Sequence, residues 1–160
     1  MIADLRGIAM RPSNLALIVV ALILGAVLFR EGLIPGSSGA DVTGPVTHVR
    51  DGDTIELRGV AIRLNGLNCD ERGTRLGEAA TVALRDLVQG QELTCRLNGD
   101  KTYDREVGRC ALPDGRDIGA ELIRAGLCGR CDRYDPQGTY VNVQREAGPF
   151  AGSFPDYCRR

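Results

Sequence analysis

The chain has 160 residues, with 20 Lys+Arg set against 21 Asp+Glu for a net charge of −1. That length supports one domain plus an appendage, and the near-neutral balance excludes a domain-wide field for polyanions. Any contact with nucleic acid must then come from a local cluster of arginines.

The appendage comes first. From Pro12 to Phe29 no residue is charged, and Leu15 to Phe29 is apolar apart from Gly25. At ~1.5 Å per residue the run spans roughly 27 Å, near the thickness of a bilayer core, and its all-round apolarity argues against an ordinary core helix. Arg6 and Arg11 precede it, whereas Arg30 and Glu31 cancel after it. The positive-inside tendency therefore puts the N-terminus in the cytoplasm and exports the rest. Ser38-Gly39-Ala40 offers small residues for cleavage but lies ~10 residues past the apolar run, so the segment reads as an uncleaved anchor, with a removable signal as the alternative. The expected layout is a cytoplasmic start and transmembrane or signal-anchor helix over 1–34, a linker over 35–44 and one domain over 45–160. The domain is expected outside the cytoplasm, anchored to the membrane, or secreted if the segment is cleaved.

All six cysteines, at 69, 95, 110, 128, 131 and 158, follow the apolar segment. An even count in an exported small domain argues for disulfides. A zinc site at Cys128-Gly129-Arg130-Cys131 would need a second such pair or histidines, and the chain has only His48. A redox pair would open a helix, whereas this one follows a helix end. Cys95 and Cys110 are expected to pair across a hairpin. The other four are expected to join the Cys69 loop and the tail to the segment after the second helix, rather than to close Cys128 on Cys131.

Along the domain, Val46-Thr47-His48-Val49 and Thr54-Ile55-Glu56-Leu57 alternate at period two around Asp51-Gly52-Asp53, a turn or bulge that puts Asp53 at a kink. His48 reads as a surface residue. Val60 to Leu64 is a third strand carrying Arg63, ended by Gly66. A polar loop leads to a helix from Gly77 that Gly90 closes. Gln91 to Leu97 and Glu106 to Leu112 form a hairpin turning at Asn98-Gly99-Asp100. Asp117 caps a second helix ending at Gly126, and a weak third helix lies near Val141 to Ala147. Five strands with a helix after the third is the order of an OB-type barrel, mainly β with two to three helices, in the α+β class.

Two segments, Asp51-Gly52-Asp53-Thr54 and Arg63-Leu64-Asn65-Gly66-Leu67-Asn68-Cys69-Asp70-Glu71, resemble the D-G-D-T strand and the R-L-x-G-(I/L/V)-D-x-P-E segment of the staphylococcal nuclease-like (thermonuclease) family. Further likeness runs through Gly77-Glu78-Ala79, Tyr103-Asp104-Arg105, Asp114-Gly115-Arg116, Leu122 to Leu127 and Ala151-Gly152-Ser153-Phe154. The resemblance implies the barrel and a calcium-dependent phosphodiesterase acting on DNA or RNA as a monomer. It implies Asp53, Asn68 and the Cys69 carbonyl around the metal, Arg63 and Arg105 on the phosphate, Glu71 on the attacking water, and Tyr103 and Tyr134 beside the nucleotide. Arg109 is the runner-up to Arg105. Asn68 stands where the family has a carboxylate ligand, which subtracts a charge from the expected calcium site, and Asp70 stands where the family has Pro.

Each motif has a plainer reading: a lone D-G-D-T is usually a turn, a strand arginine a solvated edge charge, and Asp70-Glu71 a solvated loop. A barrel that binds an oligonucleotide or an envelope partner without cleaving is therefore the alternative function, and a purely structural disulfide-stapled domain the third.

Overall fold

The computed structural model describes residues 39–158, so the apolar segment from Pro12 to Phe29 and most of the expected linker lie outside the described residues. Among the described residues no helix is long and apolar enough to cross a membrane.

Among the described residues, seven strands and three helices make a mixed α+β fold. The strands are β1 (Asp41–Asp51), β2 (Thr54–Leu57), β3 (Val60–Leu64), β4 (Leu67–Cys69), β5 (Glu92–Thr102), β6 (Arg105–Ala111) and β7 (Cys128–Arg130). The helices are α1 (Arg75–Val88), α2 (Ile118–Arg124) and α3 (Val141–Ala147). Five strands close into a barrel in the order β1-β2-β3-β6-β5, while β4 and β7 form a separate two-stranded sheet. The barrel ladders are antiparallel except β3 on β6, which is parallel.

The alternation in β2 and β3 sends Ile55, Leu57, Ile62 and Leu64 into the interior, where Leu93, Cys95 and Cys110 meet them. Helix α1 begins where Thr74 accepts a hydrogen bond from the Gly77 amide, 3.0 Å away, a standard N-cap. Ala80, Leu84 and Val88 recur every fourth residue and turn one buried stripe inward. Asp117 caps α2 by accepting from the Ala120 amide at 2.9 Å, which aims Ile118, Leu122 and Ile123 at the same core. Each of these fully buried aliphatics stabilises by about 1.5–3 kcal/mol relative to exposure.

All six cysteines pair, as Cys69–Cys128, Cys95–Cys110 and Cys131–Cys158. Cys95 and Cys110 are direct partners in the β5–β6 ladder, as the hairpin reading requires. The other two bridges tie the loop before Glu71 and the tail to the segment after α2.

Three local expectations give way. Residues 41–44, read as the end of the linker, open β1 and pair with β5, with Val42 opposite Cys95 and Gly44 opposite Leu93; a small, polar sequence does not prevent pairing when a sheet edge offers its ladder. The hairpin turns at Tyr103-Asp104, not at Asn98-Gly99-Asp100. There the ladder shifts register between Leu97 and Lys101, and Asn98 holds the Asp100 amide with its side-chain oxygen at 3.0 Å, so a turn-forming sequence is absorbed as a bulge. Strands β4 and β7 are only three residues each, too short to leave a period in the sequence.

Candidate active site

The β2–β3 ladder sets Thr54 directly opposite Arg63, and the Asp51-Gly52-Asp53 bend turns Asp53 inward beside that pair. Asp53 is 5% exposed and forms an ion pair with Arg63. Its carboxylate also accepts from the Thr54 hydroxyl at 3.1 Å, and Thr54 in turn accepts from the Arg105 guanidinium at 3.2 Å. One buried carboxylate and one buried hydroxyl thus link two guanidinium groups carried by different strands, β3 and β6. Thr54 was legible only as the last letter of its motif; its bridging position is a tertiary fact.

Burial, with Asp51 alongside, outweighs the attraction of Arg63 and pushes the Asp53 carboxyl up to about 6. A buried carboxylate in that state favours a cation within reach.

Arg63 and Arg105 open onto a cleft of about 650 Å³, also lined by Asp51, Asp53, Cys69, Asp70, Glu71, Tyr103, Tyr134 and Tyr157. Glu71 stands on the exposed rim. Its backbone carbonyl accepts from both the amide and the hydroxyl of Thr74, at 3.2 and 2.9 Å. Gly77 lies so close beneath that a Cβ there would meet this carbonyl at 2.1 Å, so the start of α1 fixes the backbone that carries Glu71. Tyr103 occupies the hairpin turn with a φ of 57°, a left-handed conformation costly for a residue with a Cβ, and is 94% exposed. Its ring lies 5.8 Å from the Arg105 guanidinium.

Arg109 is engaged elsewhere. It donates to Asp135 at 2.9 Å and to Thr139, and packs over the Tyr140 ring. Asp135 is 0% exposed and also accepts from Arg130 at 2.7 Å and from the Thr139 and Tyr140 amides. Burial alone would raise its carboxyl, but these donors hold it below the ordinary carboxylate range. The group is a structural ion-pair network under β7.

Of the residues singled out in the sequence, Asp53, Arg63, Cys69, Glu71, Tyr103, Arg105 and Tyr134 line the one cleft, and Asn68 does not. Strand alternation in β4 sends Leu67 and Cys69 to the cleft side. Asn68 turns the other way, its amide donating to the carbonyls of Cys69 at 3.2 Å and Ser153 at 3.1 Å. Among the described residues no group of three or more His, Cys, Asp or Glu side chains is arranged to hold a metal. The donor set suits a cation resting on Asp53 and completed by water and a ligand's own oxygens, not one gripped by two carboxylates.

The chain is 31% identical over 112 residues to a protein of Escherichia coli O157:H7 described as an uncharacterized endonuclease, the match covering 68% of this chain and 73% of the relative. An Escherichia coli protein of the same description matches to the same extent. The chain belongs to the family of these endonuclease-named proteins. The succinoglycan biosynthesis protein ExoI of Rhizobium meliloti is 32% identical over 135 residues, covering 78% of this chain and 70% of that protein. No protein-family model matches the chain. Residues that sequence reasoning did not single out also reach the cleft, notably Asp51, Asp70 and Tyr157. Asp51 and Asp70 lie within the two motifs and could have been inferred; Tyr157 lies in the tail, with no local signal.

Proposed function

We propose that this protein is an endonuclease of the thermonuclease-like, OB-barrel kind that hydrolyses phosphodiester bonds in DNA or RNA. The observation that carries the reading is the convergence of Arg63 and Arg105 on one cleft, linked through Asp53 and Thr54, with Glu71 on its rim. The names of the two Escherichia coli relatives support it.

Arg63 and Arg105 bind the scissile phosphate, where planar guanidinium forks match its oxygens and stabilise the charge that develops during attack. Glu71 orients a water and accepts its proton, and the departing oxygen takes a proton from solvent at the open rim. Asp53 holds Arg63 in place. It is also the side chain that would hold calcium, with the Cys69 carbonyl the other candidate donor and Asn68 withdrawn to the tail; calcium there would add positive charge against the phosphate. The protein acts as a monomer, outside the cytoplasm and tethered by the Pro12 to Phe29 segment. That location is supported by the charge pattern around the segment and by the pairing of all six cysteines.

The full-length protein incubated with single-stranded DNA and with RNA, in calcium and in chelator, tests this reading. Cleavage that Glu71→Gln abolishes and Arg63→Lys fails to restore is expected, since a point charge cannot reproduce the fork. Binding without cleavage under every metal condition would replace the hydrolase with the binding-module reading, which the withdrawal of Asn68 from the cleft specifically favours.

A further inference from the structure

Glu71 reaches the cleft from a stretch with no long element to hold it, since β4 ends at Cys69 and α1 begins only at Arg75. Downstream, its carbonyl is fixed by Thr74 and the start of α1. Upstream, the thermonuclease-like pattern would supply a proline, whose ring restricts φ, and this chain has Asp70. The backbone there is held by the tail instead.

Asp70 accepts a hydrogen bond from the Ser153 amide at 2.6 Å, and Asn68 donates to the Ser153 carbonyl at 3.1 Å. The two residues that depart from the pattern thus take both backbone groups of one tail residue, from either side of Cys69. Two glycines let the tail come this close. Gly129 pairs with Asn68 in the β4–β7 ladder, and a Cβ on it would meet the Phe154 ring at 2.2 Å and Phe150 at 2.8 Å. Those rings pack edge to face, with centroids 5.3 Å apart, and seat the tail on β7. A Cβ on Gly152 would meet the Phe150 ring at 2.3 Å and the Asp70 carboxylate at 2.6 Å. Beyond Ser153 the tail is closed by the Cys131–Cys158 bridge, beside which Tyr157 meets Tyr134 edge to face, centroids 6.1 Å apart.

We propose that the tail is a clamp on the Glu71 edge of the cleft, and that Asp70, acting through Ser153, is the positioning residue that keeps Glu71 aimed at the bound phosphate. Glu71 itself is exposed, and a misplacement of about 1 Å can cost about 100-fold in rate. A carboxylate that accepts from a backbone amide makes a charge-assisted bond, stronger than a neutral one. A tail already ordered by the two rings and a disulfide loses little freedom in making it. The consequence for rate rests on the nuclease reading above, whereas the clamp does not depend on turnover.

The test uses the full-length protein, with amide hydrogen exchange read by mass spectrometry and steady-state cleavage of single-stranded DNA in calcium. Asp70→Ala is expected to speed exchange over residues 68–74 while leaving the β5–β6 hairpin at the wild-type rate. It is also expected to lower kcat by about 10- to 100-fold with little change in KM, because Arg63 and Arg105 are untouched. Asp70→Asn removes the charge but keeps an acceptor for the Ser153 amide, and is expected to restore both readouts toward wild type. Gly152→Ala, which leaves Asp70 in place and forces the tail off it, is to reproduce Asp70→Ala. Wild-type exchange over residues 68–74 in Asp70→Ala, or an unchanged kcat in that variant, overturns the proposal. A loss in Asp70→Asn as large as in Asp70→Ala also overturns it, by making the charge in the cleft the working feature. Absence of cleavage by the wild type, with the exchange pattern of the variants as expected, would remove the hydrolase and leave the clamp standing.

Discussion

Asn68 donates its side-chain amide to the backbone carbonyl of Ser153, 3.1 Å away and 85 residues further along the chain. The same nitrogen also donates to the Cys69 carbonyl. The thermonuclease-like resemblance implies that Asn68 is a weakened calcium ligand, for which an Asp substitution would be a repair; in the fold it is a donor facing two acceptors. Asn68→Asp should therefore destabilise the protein by about 1–3 kcal/mol, because it removes a buried donor and sets a carboxylate against two carbonyl oxygens. Urea denaturation at neutral pH reads this directly. A more stable variant, or one more active at limiting calcium, would restore the ligand reading of Asn68.

Asp53 gives a pH dependence. Its carboxyl is pushed from 3.8 up to about 6 in the fold, chiefly by burial, so between those values the folded state holds a proton that the unfolded chain has released. This group is neutral to stability below about pH 4, then costs stability as pH rises toward 6, and the cost is full above that. Asp53→Asn should remove it, leaving the variant more stable than wild type by about 1–3 kcal/mol at pH 7 and no more stable near pH 3.5. Thermal melts across pH 3.5–7.5 measure the difference. The same variant should lose any calcium-induced rise in melting temperature.

Arg105 and Arg109 lie four residues apart on β6 and should separate cleanly. Arg105→Ala is expected to cut cleavage by about 100-fold or more with a nearly unchanged melting temperature, since its guanidinium opens onto the cleft. Arg109→Ala is expected to cost about 3 kcal/mol of stability, because it strips a donor from the fully buried Asp135. Denaturation and activity measured on both variants would show the reverse order if Arg109 were the phosphate ligand.

The three disulfides should differ in what they protect. Each is expected to contribute about 2–4 kcal/mol. Cys69 lies two residues before Glu71, and its sulfur packs 3.2 Å from the Gly52 carbonyl inside the Asp51-Gly52-Asp53 bend. Replacing Cys69 and Cys128 by Ala should reduce kcat well below the value left by replacing Cys95 and Cys110, when both variants are assayed well under their melting temperatures. Equal kcat losses would mean that the Cys69–Cys128 bridge serves stability alone.

Much of the fold was legible in the sequence, and the reason is local. Period-two alternation in β2 and β3, the cap residue Asp117, and the fourfold spacing of Ala80, Leu84 and Val88 are consequences of backbone geometry that any short window carries. The pairing of Cys95 with Cys110 follows from one hairpin. Arg63 could be singled out for the same reason, as a charge on an otherwise apolar strand. What only the tertiary structure decided depends on contacts distant in sequence. The Asp53–Thr54–Arg105 link spans 51 residues, the Asn68–Ser153 contact 85, and the seating of Tyr157 against Tyr134 needs the Cys131–Cys158 bridge. None of these leaves a periodic mark, because each depends on where the barrel closes and the tail returns, and those are set by packing of the whole core.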